Sequence, residues 1–158
     1  MSSSERSKAT RRNYRQARIL VVEDDPAQWG IMRQALAQVL PEVTLVRVSS
    51  RPETLAYLDA CGGCPDDLPK LVLLDLYLPA REDGWALLHH LKNKNGPLHR
   101  IPVVVLSNSS DPADVRSAYE QGVTSFVVKP VGYDEWLNYC RTLRQYWWET
   151  VTLPGSGT

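Results

Sequence analysis

Two kinds of hydrophobic pattern alternate along the chain. Ile19-Leu20-Val21-Val22, Leu71-Val72-Leu73-Leu74, Val103-Val104-Val105-Leu106 and the shorter Phe126-Val127-Val128 are unbroken apolar runs, and Val43, Leu45, Val46 and Val48 form a looser one. Runs of this length fit strands buried on both faces of a sheet. Between them apolar residues recur at helical spacing. Trp29, Met32, Leu36, Val39 and Leu40 form one such stripe, ending at Pro41; Leu55 and Leu58 lie in a second segment from Arg51 to Ala60. Trp85, Leu87, Leu88 and Leu91 predict a helix from about Gly84 to Asn95. Trp136, Leu137, Cys140, Leu143 and Trp147 predict another from about Tyr133 to Glu149. Asp25-Pro26 and Asp111-Pro112 read as N-cap and first-turn pairs, the second opening a helix to about Gln121. Gly122 suits the C-cap of that helix, and Cys61 to Pro69 reads as a loop.

Strand and helix thus alternate five times, which calls for a parallel sheet covered on both faces, because parallel strands need crossover connections. The polar residues that end the runs are then the informative ones. Glu23 and Asp24 follow the first run, Asp75 the third, Ser107 the fourth and Lys129 the fifth. In an open α/β sheet these carboxyl ends share the crevice where ligands bind. Three carboxylates crowded there repel one another unless a cation sits among them, and oxygen ligands of this kind suit Mg²⁺. A lysine and a hydroxyl facing the same point add donors for a transferred phosphoryl group. Asp75 is then the natural nucleophile, since a carboxylate can accept a phosphoryl group covalently.

Composition narrows the field. At 158 residues the chain suits one domain, and 18 Lys plus Arg balance 18 Asp plus Glu, so bulk charge points neither to nucleic acid nor to an acidic solvating protein. No apolar stretch approaches the roughly 18 residues of a membrane span, and no signal-peptide core follows the start. Three cysteines are too few for a disulfide scaffold, so a cytoplasmic location is expected. Met1 to Ala17, rich in Ser and Arg, reads as a mobile basic tail; a transit peptide or nucleic-acid arm is the alternative. Thr150 to Thr158 reads as a C-terminal extension.

The ordered set Val22-Glu23-Asp24-Asp25-Pro26, Leu74-Asp75-Leu76-Tyr77-Leu78-Pro79 with Asp83-Gly84, Leu106-Ser107 and Val128-Lys129-Pro130 resembles the receiver domain of two-component response regulators. The likeness spans roughly Arg18 to Trp147. It implies a flavodoxin-like, doubly wound (βα)5 sheet of strand order 2-1-3-4-5, with a receiver domain over residues 18–149. It further implies Asp75 as phosphoacceptor, Asp24 as direct Mg²⁺ ligand with Glu23 acting mainly through water, and the Tyr77 backbone carbonyl as a further ligand. Ser107 would be the switch hydroxyl, Lys129 the phosphate-contacting amine and Phe126 the aromatic that swings inward on activation. Pro130 would follow a cis peptide bond. The sequence departs from the family pattern in three places. Ser stands for the commoner Thr at 107, Ala80-Arg81-Glu82 lengthens one turn by a residue, and Tyr77 is larger than the usual occupant, large enough to restrict hydrolytic water.

The end of the chain, from Val128-Lys129-Pro130-Val131 and Trp136 to Tyr146-Trp147-Trp148-Glu149-Thr150-Val151-Thr152-Leu153-Pro154, is similar to single-domain regulators paired with bacterial and cyanobacterial phytochrome histidine kinases. That likeness implies a sensor histidine kinase as partner and no DNA-binding module after the last helix. Trp136, Tyr139, Tyr146, Trp147 and Trp148 occupy more than one helix face, which predicts a homodimer through the fourth helix, fifth strand, last helix and C-terminal extension.

Other readings are weaker. A haloacid-dehalogenase-like hydrolase wants a second Asp where Tyr77 stands. A flavin carrier wants a Ser/Thr/Gly-rich phosphate loop where Glu23-Asp24-Asp25 stands. A receiver unable to accept phosphate should lack a required side chain, and none is missing. Cys61-Gly62-Gly63-Cys64 closes a helix instead of opening one and lacks a second ligand pair, so it reads as a plain glycine-rich loop. His89 and His90 read as helix-surface residues.

Overall fold

The computed structural model describes residues 17–62, 67–77 and 81–146. Cys64, Leu78-Pro79, Ala80, Trp147, Trp148 and everything after them lie outside the described residues, as do residues 1–16. The elements alternate as the pattern requires: β1 (Arg18–Val22), α1 (Pro26–Val39), β2 (Thr44–Val48), α2 (Arg51–Ala60), β3 (Leu71–Asp75), α3 (Arg81–Leu91), β4 (Val103–Ser107), α4 (Pro112–Gln121), β5 (Ser125–Val128) and α5 (Gly132–Leu143). All strand pairs are parallel and the order is β2-β1-β3-β4-β5. The strand order reverses between β1 and β3, with β2 laid down on one side of β1 and β3 on the other, the place where such sheets open a crevice.

Two apolar layers cover the sheet. On one face Met32, Ala35 and Leu36 of α1 meet Trp136, Leu137, Cys140 and Leu143 of α5. On the other, Leu58 of α2, Leu87, Leu88 and Leu91 of α3 and Ala118 of α4 pack over Leu20, Val72, Leu74, Val103 and Val105. Consecutive strand residues point to opposite faces, so strands buried on both sides need the unbroken apolar runs seen in the sequence. Every residue of β3 and β4 is buried.

Local chemistry sets the helix ends. Asp25 Oδ1 accepts from the Ala27 N–H at 2.9 Å, and Asp111 Oδ1 accepts likewise from Ala113. Ser50 Oγ accepts from Glu53 N–H while the Glu53 carboxylate reaches back to Ser49 N–H, a reciprocal cap for α2. Gly122 ends α4 with φ of +100°, a conformation that suits glycine.

Several expectations need correction. Ala17 belongs to the fold rather than to a tail: it is buried, and its carbonyl accepts from Thr44 N–H at 2.9 Å. Helix α3 begins at Arg81, three residues earlier than expected. Glu82 and Asp83 lie in its first turn, where acidic residues favour the positive helix end, so Arg81 and Glu82 belong to the helix and not to a lengthened turn. Gly84 is needed for close approach, because a Cβ there would stand 1.7 Å from the Leu76 carbonyl oxygen. The helix stops at Leu91 because Asn93 Oδ1 captures the Asn95 N–H in a turn and Lys92 Nζ donates to the His99 and Ile101 carbonyls. Regular α5 stops at Leu143, where Arg144 donates to the Val39 carbonyl and to both Glu42 carboxylate oxygens at the end of α1. Among the described residues every peptide bond is trans, that before Pro130 included. Trans remains the favoured form before proline by about 0.5–1 kcal/mol.

Candidate functional site

The strand ends bring Glu23, Asp24, Asp75, Ser107 and Lys129 to one edge. Register explains it: Val22 pairs with Leu74, Asp75 with Leu106, and Ser107 with Val128. Each reactive residue therefore emerges within one or two positions of the same level. Carboxylate oxygens of Glu23, Asp24 and Asp75 lie within 4.8 Å of one another. Glu23 and Asp75 are buried, while Asp24 stands more open to solvent.

Lys129 joins two of them. Its Nζ donates to Glu23 Oε1 at 2.6 Å and to Asp75 Oδ2 at 3.2 Å. One ammonium thus serves two buried carboxyl groups, and the imbalance is felt at Glu23, which is 1% exposed. Burial pushes its carboxyl up to about 7; the Lys129 hydrogen bond pulls it back and the neighbouring Asp75 pushes it further up. Burial works against the Lys129 charge, but the hydrogen bonds and charges of Glu23 and Asp75 outweigh it and hold the ammonium above its usual range. A divalent cation fits this cluster, because it supplies the positive charge that one lysine cannot.

The remaining oxygens are held by backbone. Tyr77 N–H donates to Asp75 Oδ1 at 3.1 Å, and Asp25 N–H donates to Glu23 Oε2 at 3.2 Å. Ser107, wholly buried, accepts from Ser109 N–H at 3.0 Å, and its carbonyl accepts from Lys129 N–H at 2.9 Å. Phe126 sits two residues before Val128 on the edge strand, half-buried against the α2, α3 and α4 layer. Glu23, Asp24, Asp75, Ser107 and Lys129 therefore gather at one edge of the sheet, with Tyr77 just beyond it and Phe126 two register positions inside it.

Sequence reasoning missed three contacts. Arg47 of β2 donates from Nε to the Glu23 carbonyl at 3.1 Å and from Nη2 to the Asp24 carbonyl at 3.4 Å, bracing the acidic loop. Its only sequence signal is a charge set among the apolar positions of a strand. The Tyr77 hydroxyl donates to buried Asp114 at 3.0 Å, and the Tyr119 hydroxyl accepts from Phe126 N–H at 3.3 Å. The aromatic surplus near the C-terminus is smaller than expected. Trp136 belongs to the core, with Tyr139 against it edge to face at 6.1 Å.

The fold and its edge agree with what known proteins show. The response regulator receiver domain model matches residues 19–141. The response regulator Rcp1 of Synechocystis sp. is 33% identical over 139 residues, covering 87% of this chain and 93% of that protein. Its solved Mn²⁺-bound form superposes with a TM-score of 0.74 over 88% of this chain and 99% of that one. The phosphorylated cyanobacterial phytochrome response regulator RcpA gives 0.76 at 32% identity, with 88% and 99% covered. The probable methanogenesis regulatory protein FilR2 of Methanothrix harundinacea is 32% identical, with 87% of each chain covered. With the strand order, the acidic pocket and these likenesses in agreement, the chain belongs to the response regulator receiver domain family, and within it is related to the phytochrome response regulators.

Proposed function

We propose that Asp75 accepts a phosphoryl group from the phosphohistidine of a sensor kinase and that the charge it gains switches the surface of the chain. The observation that carries this is Lys129 Nζ shared between Asp75 Oδ2 and Glu23 Oε1 at one strand edge. An Asp75 oxygen attacks phosphorus, the bond to the kinase imidazole nitrogen breaks, and that nitrogen keeps the electron pair. Lys129 donates to the phosphoryl oxygens. Asp24, Asp75 and the Tyr77 carbonyl would hold Mg²⁺, with Glu23 acting mainly through water. When bound, the ion supplies positive charge against the phosphoryl oxygens. The chain catalyses only its own phosphorylation and dephosphorylation.

Signal leaves through Ser107 and Phe126. A phosphoryl group brings up to about two negative charges and several acceptor oxygens. Ser107 reaches one of them by moving inward, and the half-buried Phe126 fills the space it leaves. Moving a two-state switch from 1:99 to 99:1 takes about 5.5 kcal/mol, within the range of two or three charge-assisted bonds and a metal.

The likeness to RcpA supports a phytochrome-type histidine kinase as the partner. The receiver occupies residues 18–149 with Ala17 added, preceded by a basic tail and followed by an extension over 150–158. The reading includes a cytoplasmic location, and no described helix is long and apolar enough to cross a membrane. It also includes a homodimer through α4, β5, α5 and the extension, with output through protein contacts rather than nucleic acid. Incubation with a small acyl-phosphate donor should add one phosphoryl group in the presence of Mg²⁺ and none in its absence. Asp75→Asn should take up none; equal labelling of that variant sinks the assignment.

A further inference from the structure

Two chains of hydrogen bonds leave the Asp75 pocket and reach the same turn of helix. One runs through the β4–α4 connection: Ser107 Oγ accepts from Ser109 N–H, Ser109 Oγ accepts from Asp111 N–H at 3.1 Å, and Asp111 caps α4. The other uses side chains from a different loop. Tyr77 N–H donates to Asp75 Oδ1, and the hydroxyl of the same residue donates to Asp114 Oδ2 at 3.0 Å. Asp114 is the third residue of α4 and is 6% exposed. Tyr77 thus has one end on the nucleophile and the other on the first turn of α4.

We propose that the Tyr77–Asp114 hydrogen bond is a latch through which α4 senses the state of Asp75 separately from Ser107. A tyrosine has two side-chain torsions, so a displacement of its backbone is carried to its hydroxyl with little slack. The acceptor is buried, so the bond to it forms in a desolvated site and its loss is felt there. Phosphorylation of Asp75 alters the carboxylate that now accepts from Tyr77 N–H. The loop shifts, the phenol is drawn off Asp114, and the first turn of α4 loosens. Position 77 is therefore a positioning residue for α4, and Asp114 acts through it.

This second step rests on Asp75 being the phosphoacceptor; the latch itself does not. Amide exchange of Ala113 to Ser117 tests both. In unphosphorylated protein, Tyr77→Phe should speed exchange there about tenfold, as loss of one charge-assisted bond would, and Asp114→Ala by at least as much. The double variant should be no faster than Asp114→Ala alone, and Asp114→Asn, which keeps an acceptor oxygen, should stay near wild type. Unchanged exchange in Tyr77→Phe, or additive effects in the double variant, overturns the latch. With acyl phosphate and Mg²⁺, and occupancy read by intact mass, wild type should move toward the Tyr77→Phe rate while Tyr77→Phe responds little. Phosphorylated wild type that exchanges at its unphosphorylated rate overturns the coupling to Asp75. The expected unphosphorylated pattern without any gain in mass upholds the latch and instead overturns Asp75 as acceptor.

Discussion

The strand that ends in Asp75 and the strand that leads into Lys129 are built differently. β3 lies in the middle of the sheet, paired on both sides and buried at all five positions. β5 lies at the edge, has four residues, and none of them is fully buried; Val128 is 52% exposed. Yet Lys129 follows β5 directly and meets Asp75 at 3.2 Å. Asp75 thus ends a strand that is paired on both sides and fully buried, and its charge partner arrives at the end of a half-buried edge strand. Even the outward N–H of Phe126, which an edge strand leaves without a strand partner, is bonded by Tyr119 of α4. If Asp75 gains charge as proposed, the doubly packed β3 and the half-buried β5 predict displacement toward β5 and α4.

The widest expected contrast comes from substituting one side chain in each strand. Leu73→Ala removes a side chain that is 1% exposed within β3 and should cost about 2–5 kcal/mol. Val128→Thr on β5 should change stability by no more than about 0.5 kcal/mol. Urea unfolding at equal ionic strength checks both. Losses of similar size would mean that β5 is as firmly built as β3, and the directional account above would fail.

Much of this contrast could be read before any coordinates. Unbroken apolar runs such as Leu71 to Leu74, short and bounded by turn signals, fit a strand buried on both faces, so the sheet and its polar strand ends followed from pattern and polarity. The ends of α3 and α5 could not be read in this way. They are set by Lys92 reaching the His99 and Ile101 carbonyls and by Arg144 clasping Val39 and Glu42, contacts between residues far apart in sequence or hidden in a turn. Tyr77–Asp114 was illegible for the same reason: 37 positions separate the partners, and neither residue type announces the other. Trp136 was legible as part of the apolar stripe of α5, but one-dimensional spacing does not reveal how many of its aromatic neighbours α1 and α5 cover between them.

The next contrast sets the closed α1–α5 layer against the edge, using pH. Cys140 of α5 is wholly buried, and burial pushes its thiol up from 9.0 to about 12. The neutral thiol is thus favoured in the folded state. Its contribution is fully present below about pH 9 and is lost as pH rises from there toward 12, because the unfolded thiol ionises first. By pH 11 the loss attributable to this group should be roughly 3 kcal/mol. Other groups also titrate there, so the measurement is the difference between wild type and Cys140→Ala in melting between pH 8 and pH 11. Parallel pH dependences would show that α5 opens to solvent well before the sheet unfolds. The thiol should also resist alkylation at neutral pH until denaturant is added.

The smallest expected effect concerns the outer side of the edge region. Tyr119 is 48% exposed, Val128 52% and Val131 79%, on α4, β5 and the turn into α5. A two-fold contact through this side would place each residue in the interface twice, and covering about half of a valine is worth on the order of 1 kcal/mol. With Trp136 assigned to the core, these side chains and exposed Tyr146 are the large apolar groups that the described residues offer a dimer. Wild-type protein should sediment as a dimer at tens of micromolar. Val131→Asp should raise the dissociation constant about tenfold, equivalent to about 1.4 kcal/mol, without altering the urea midpoint of the monomer. Removing Thr150 to Thr158 together with Trp147→Ala and Trp148→Ala should shift the distribution further toward monomer while Asp75 still takes up phosphate. A wild-type protein that stays monomeric at those concentrations, phosphorylated or not, would mean that the yielding edge presents its surface to a different partner, and that the contrast between β3 and β5 serves switching alone.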